Sequence, residues 1–296
     1  MFSPTSYKLF SLIGGLFFCV CALADSTKQV VYFQDDARFE YDIALLQMAL
    51  DKTAERYGEA RAVPYEQQVN EARGLRLLEQ SKVDVAFVPT NRERELRFQS
   101  VKFPVLAGLL GYRVLIIHQQ SAGRFSAIDT TGELRANMIA GFGLHWADMQ
   151  ILYANQLPVI GHPEYTELFA MVNDKRVDYF PRGLNEAWQE VERFKDEHPD
   201  ITVENHLALY YPFPRYFFVN KDNDALAKRL LKGLQIAKQD GSFKAHFLAA
   251  FGKWIELAQI EKRQVLFLNN PFLSEGTPLP DTSIWLPAPL TEGKNE

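Results

Sequence analysis

Thiols are nearly missing from this chain. Only two cysteines occur in 296 residues, Cys19 and Cys21, and both fall within the first 24. Lys8 precedes an apolar run over residues 9–20, and Ala22-Leu23-Ala24 then supplies the small-x-small pattern of a signal peptidase site. The run is too short to span a bilayer as a mature helix; an uncleaved anchor is the alternative. Cleavage after Ala24 would leave Asp25 first and remove both cysteines. That excludes disulfides, a cysteine nucleophile and thiolate metal sites from the mature protein. A lipoprotein anchor is disfavoured too, because Phe18 and Val20 are not the small residues it requires. The expectation is an exported protein, free in an oxidising space such as a periplasm.

Positive charge is also in deficit. The net charge of −5 becomes −6 once Lys8 leaves with the leader, so the electrostatic footprint of a nucleic-acid binder is lacking. No second long apolar run and no low-complexity tract follow. His118, His145, His162, His198, His206 and His246 show none of the close spacings of metal ligands. No Gly-x-Ser-x-Gly elbow occurs. We therefore expect no metal, no cofactor and no enzyme.

What is present is a recurring junction. Residues 77–89 and 169–183 each run from the apolar end of a helix through a polar turn into a basic-Val-Asp step: Lys82-Val83-Asp84 and Arg176-Val177-Asp178. Each then becomes a short apolar strand that is expected to stop at a proline, Pro89 or Pro181. Loops at the carboxyl ends of strands in open α/β sheets are where ligands bind. Two such units, far apart in sequence, predict two α/β lobes that each offer one loop to a shared cleft.

Periodicity extends this reading. Strands are expected at 29–33, 62–64 and 83–88, with helices at 41–54 and 67–80 between them. A strong strand at 109–117 ends in the polar stretch 118–123, the first hinge candidate. A second α/β set follows, with strands near 137–140, at 159 and at 177–180, and helices at 146–156, 165–173 and 185–197. The β-rich runs 207–211 and 216–219 enclose the expected return crossing, and helices at 224–239 and 242–255 close the fold. The expected organisation is a leader 1–24, a first lobe 25–117, an inserted second lobe 118–208 and a return segment 209–255. Residues 256–296, rich in proline, are expected to be an irregular tail.

The run Tyr216-Phe217-Phe218-Val219-Asn220-Lys221, then Leu226, Leu230 and Leu234, then Asp240-Gly241-Ser242-Phe243 and Lys253-Trp254, carries a resemblance. It is similar to the closing region of the family 3 extracellular solute-binding proteins, periplasmic receptors of polar amino acid importers. Val83-Asp84-Val85-Ala86-Phe87, Phe103-Pro104 and Arg176-Val177-Asp178 fit that family as well, so the likeness spans residues 29–255 in order. It implies an α/β, two-lobed periplasmic-binding-protein-like fold of type II, with two crossover strands forming the hinge. Residues beyond 256 fall outside the family pattern.

The resemblance also nominates site residues. Receptors of this family hold a ligand carboxylate with an arginine after the third strand of lobe one. The loop here reads Thr90-Asn91-Arg92-Glu93-Arg94-Glu95 without the family's Thr-x-x-Arg spacing, which leaves Arg92 and Arg94 as candidates. A guanidinium suits the task because its planar fork pairs two oxygens at once; the alternative is a solvated helix start with internal ion pairs. In lobe two the family commonly places an aspartate to meet an ammonium, whereas this chain has Pro181-Arg182-Gly183. A cation there would attract a second anion, unless Arg182 pairs with Glu186 one turn away.

Gly141-Phe142-Gly143-Leu144-His145-Trp146 joins a strand to a helix, where the backbone at Gly143 and His145 can donate to an anion. Trp146 is a cleft wall or a core residue. Asp36 and Phe39 follow the first strand, and Asp36 either meets a cation or caps the next helix. Arg113 faces the cleft or forms a structural pair. Together these predict capture of a small, carboxylate-bearing solute for an ABC transporter, by a monomer. A sensor serving a membrane kinase or cyclase is the alternative, and a dehydratase on the same scaffold is a third.

Overall fold

The computed structural model describes residues 27–277, together with Met1. The leader, both cysteines, Pro278, Pro280, Pro287 and Pro289 lie outside the described residues. Along the chain run β1 (Lys28–Tyr32), β2 (Ala60–Pro64), β3 (Val85–Pro89) and β4 (Gln99–Val101). Then come β5 (Tyr112–His118), β6 (Ala140–Gly143), β7 (Val159–His162), β8 (Tyr179–Gly183), β9 (Ile201–Val203) and β10 (Leu207–Tyr210). The described part closes with β11 (Arg215–Val219) and β12 (Gln264–Phe267).

Among the described residues these strands form two sheets. The first has the order β2-β1-β3-β11-β4. Its β1, β2 and β3 are parallel, with Val30 opposite Ala62 and Tyr32 opposite Val85. Parallel pairing needs crossovers over a sheet face, and the helices Glu40–Asp51 and Glu71–Glu79 supply them. The second of these starts at Asn70, whose side chain accepts from the Arg73 N–H, and it buries Leu75, Leu77 and Leu78.

After the excursion through the second sheet, β11 returns antiparallel between β3 and β4, with Arg215 opposite Pro89. Helix Asp224–Gln239 then packs on helix Glu40–Asp51 so closely that a Cβ on Gly233 would sit 2.1 Å from the Ala49 carbonyl oxygen. Only glycine fits that crossing.

The second sheet has the order β12-β10-β5-β8-β6-β7, with β9 paired to β5. The molecule is therefore two-lobed and mixed α/β. A single buried apolar cluster joins the lobes: it includes Leu45 and Phe87 of the first, Val105 and Leu109 between them, and Phe169 and Phe180 of the second.

Several expectations change. The strand expected to close the first lobe is β5, and it lies at the centre of the second sheet. The first crossing thus precedes it, over residues 102–111, and the boundary at 117/118 moves with it. The return crossing lies at 211–214, between the two β-rich runs, but β10 belongs to the second sheet, so the expected boundary at 208/209 falls inside that strand. The hinge candidate at 118–123 is instead a turn, Gln119–Ser121, leading into the short helix Ala122–Phe125 inside lobe two. His118 anchors that turn by accepting from the Gln120 N–H.

Pro181 sits inside β8 rather than ending it. β8 pairs with β6 only at Tyr179, so the ladder on that side has stopped before the proline. The expected irregular tail contains β12, which extends the second sheet in parallel with β10 and buries Leu266, with Leu268 buried just beyond its end.

Candidate functional site

The loops after β3 and β6, the two crossings and the segment after β12 come together between the sheets. A groove of about 450 Å³ runs here, walled by residues 89–94 of lobe one, Ala147, Gln150 and Ile151 of lobe two, and Phe213 of the return crossing. Asn270, Pro271 and Phe272 form a further wall. The lobe-one wall is built by local chemistry. Asn91 caps the helix Arg92–Arg97 by accepting from the Arg94 N–H, and the Thr90 hydroxyl donates to Glu95 at 2.6 Å. The Thr90 N–H bonds the Pro214 carbonyl and so ties this loop to the crossing.

Residues 269–272 act as a strap across the lobes. Asn155 of lobe two exchanges two hydrogen bonds with the Asn269 backbone, at 2.8 and 2.9 Å. Asn270 donates to the Pro212 carbonyl of the crossing at 2.8 Å. The Arg92 N–H of lobe one donates to the Phe272 carbonyl at 2.9 Å.

Arg92 and Arg94 both line the groove. Arg94 is committed: it donates to the Pro89 carbonyl at 2.6 Å and pairs with Glu71. Arg92 is exposed, and its guanidinium has no partner among the described residues. The other nominated residues lie outside that groove lining.

In lobe two, Arg182 is buried in a cage. Its Nε and Nη2 clasp Glu190 at 2.7 and 2.6 Å, and Glu186 lies at 3.1 Å. Its guanidinium rests 4.7 Å from the Trp146 ring, with Phe180 and Tyr165 at 5.1 and 5.6 Å. Cation–π attraction strengthens as water is excluded. The Tyr165 hydroxyl donates to Glu190 at 2.6 Å. Arg182 therefore takes the pairing that sequence offered as the alternative to anion clamping, extended one turn to Glu190. Burial works to raise the Glu186 carboxyl, yet Arg182, Arg113 and the Gly183 N–H outweigh it and hold it below its usual range.

Trp146 is half-buried, stacking on Phe180 at 5.9 Å and meeting Phe142 edge-on. Its ring lies over Gly143, where a Cβ would come within 2.3 Å of it, so glycine is required for close approach. His145 is exposed.

Arg113 is buried and held through both terminal nitrogens. It donates to the Leu110 and Tyr112 carbonyls at 2.5 and 3.1 Å and to Asp148 at 2.7 Å, and Asp148 also receives the Tyr211 hydroxyl at 2.7 Å. Arg113 is thus the structural pair of the two readings, joining β5 to the return crossing.

In lobe one, exposed Asp36 takes the capping role of its two readings, accepting from the Arg38 N–H. Phe39 packs on Phe87 at 5.8 Å and lies beneath the Arg215 guanidinium, 5.5 Å away. Arg215 pairs with Asp42 at 2.8 Å; Asp42 is 1% exposed. Sequence reading passed over Arg215, Asp42, Asp148, Glu190 and the strap. Arg215 was visible as the one charge opening the aromatic run 215–219, and Glu190 as the acid one helical turn beyond Glu186.

No protein-family model matches the chain, and no curated protein matches it. Solved structures do. A Bacillus subtilis protein from structural genomics superposes with a TM-score of 0.53 at 16% identity, over 81% of this chain and 96% of its own. An ancestral arginine-binding protein, bound to glutamine, matches at 0.52 and 17% identity, over 76% and 98%. An amino acid ABC transporter substrate-binding protein of Streptococcus pneumoniae, bound to L-arginine, gives 0.52 at 13% identity, over 76% and 93%. At such identities the likeness is one of fold. This chain has the two-lobed type II fold of periplasmic binding proteins, a fold it shares with amino acid ABC transporter substrate-binding proteins.

Proposed function

We propose that the protein captures a small, carboxylate-bearing polar solute between its lobes and delivers it to an ABC-type importer from the periplasm. The observation that carries this reading is the groove between the lobes, whose walls come from both lobes, from the return crossing and from the strap. A molecule seated there touches both lobes at once, which is how a ligand selects one interlobe arrangement over another. Arg92, exposed on the groove wall with no guanidinium partner among the described residues, adds positive charge that draws an anionic solute toward it. Amino acid-binding neighbours of the same fold support the solute class. One neighbour is an ancestral amino acid-binding protein described as a precursor of a dehydratase, so the same scaffold lies close to catalysis elsewhere. Capture without turnover is the reading proposed for this chain.

A thermal-shift screen of the purified protein against amino acids, dicarboxylates, aromatic acids, short peptides and polyamines tests it. A ligand at a hundred times its dissociation constant stabilises by about 2.7 kcal/mol. A hit among the acids supports the reading. Silence across the whole panel, or consumption of the hit over time, overturns it.

A further inference from the structure

Three arginines are largely buried around the cleft, and their donors are used very differently. A guanidinium carries five N–H donors in a fixed fork. Arg113 spends both terminal nitrogens on two carbonyls and Asp148, and Arg182 spends the Nε/Nη2 edge on both oxygens of Glu190. Arg215 gives a single hydrogen bond, from Nη1 to Asp42 Oδ2. Its Nε is buried and unpartnered, and Nη2 has no partner among the described residues. The edge of the fork that holds a carboxylate in Arg182 thus makes no bond in Arg215.

Its position matters as much as its valence. Arg215 stands opposite Pro89 across the β3–β11 ladder, and directly opposed residues of antiparallel strands share a sheet face. Pro89 lines the groove, and the neighbouring Thr90 is tied to Pro214. Arg215 does not itself line the groove, but it adjoins the wall residue that does. Its partner Asp42 leaves a second buried atom unmatched, Oδ1, and elsewhere in lobe one so does Gln34, whose Oε1 has no partner among the described residues. Burial of unmatched polar atoms is costly and rare in folded proteins.

From this we infer that Arg215 is a ligand-binding residue: its Nε/Nη2 edge receives the carboxylate of an amino-acid-like solute, whose N–H donor is met by Asp42 Oδ1. The inference rests on the solute-binding reading above, and it assigns the carboxylate to the start of the return strand rather than to Arg92 or Arg94. A purely structural Arg215–Asp42 pair would govern stability but not the choice between an acid and its amide.

The experiment uses that distinction. Wild-type protein is titrated by calorimetry with the twenty amino acids and a set of short-chain and aromatic carboxylic acids. The tightest binder is then compared with its carboxamide, in wild type and in Arg215→Gln. Wild type should favour the acid, and R215Q should weaken the acid by about 10- to 100-fold while hardly changing the amide. In ¹⁵N-labelled wild type, the acid alone should shift the Arg215 Nε–H resonance, a readout that survives if the variant fails to fold. A folded R215Q that keeps the acid preference, or an Arg215 resonance unmoved at saturation, overturns the inference and leaves solute capture standing. Wild type that binds acid and amide alike overturns it too. Wild type that binds no probe overturns both.

Discussion

Arg182 and Arg215 make an informative pair, one at the cleft end of each lobe. Both lie on aromatic rings and both meet a buried carboxylate. In lobe two the carboxylates outnumber the cation: Glu190 takes both oxygens to Arg182, Glu186 adds a third contact, and Tyr165 completes the network. In lobe one a single oxygen of Asp42 meets a single nitrogen of Arg215. A fully clasped guanidinium braces the fold, whereas a half-clasped one retains directional donors. The position of an arginine near a cleft therefore says less about ligand binding than the number of its donors already spent.

Stability measurements can break this contrast. Arg182→Gln strands the Glu190 carboxylate among aromatic rings, and removing one partner of a buried pair costs about 3–5 kcal/mol. Arg215→Gln should cost less, about 1–3 kcal/mol, because one hydrogen bond is lost. Asp42 is also raised above its ordinary value by burial, against the opposing pull of Arg215, so it can take up a proton once bare. Urea unfolding of the two variants at neutral pH gives the ranking. A larger loss in R215Q than in R182Q would make Arg215 the more structural of the two and reverse the comparison.

The strap sharpens the comparison, since it is bonded to both lobes. Asn155→Ala with Asn270→Ala removes four of its hydrogen bonds, including the one from the Phe272 N–H to Asn270 Oδ1, for an expected loss of about 2–4 kcal/mol. The informative readout is hydrogen exchange at the Arg92 amide, which is bonded to Phe272 in the strap. Exchange there should quicken in the double variant, although neither substitution touches lobe one. Unchanged protection at Arg92 would mean that the lobe-one end of the strap holds by itself.

Much of the scaffold was legible. The junctions at 82–84 and 176–178 lead into β3 and β8, and the helices expected at 224–239 and 242–255 are there, the second running on to Ala258. The assignment of β5 was not, because an apolar strand reads the same in either sheet and only tertiary pairing decides. β12 escaped notice because four residues, Gln264–Phe267, give too little periodicity beside a proline-rich stretch. The candidate residues were legible as types rather than as roles. Arg113 and Arg182 are where a cleft residue belongs, but their partners Asp148 and Glu190 lie 35 and 8 positions away. Only the helix spacing from Glu186 to Glu190 left a trace in the sequence.

The smallest expected effect separates exposed charge from buried charge within lobe one. Asp240 lies between helices Asp224–Gln239 and Ser242–Ala258, and the Lys52 ammonium, with help from the Ser242 hydroxyl and N–H, pulls its carboxyl down from the ordinary 3.8 to about 2. A carboxyl lowered in the folded state contributes stability above its unfolded value and loses it as pH falls. The Asp240 contribution is thus intact above pH 4 and fades between about pH 4 and pH 2. Asp42, raised by burial, works in the opposite sense: the folded state holds its proton longer, and stability declines as pH climbs above the ordinary carboxyl value. Lys52→Ala removes the largest cause at Asp240 and leaves Asp42 alone, so urea midpoints of the variant should fall less steeply than wild type from pH 4 to pH 2. Parallel curves for the two proteins would show that this ion pair, exposed as it is, is screened to nothing by solvent.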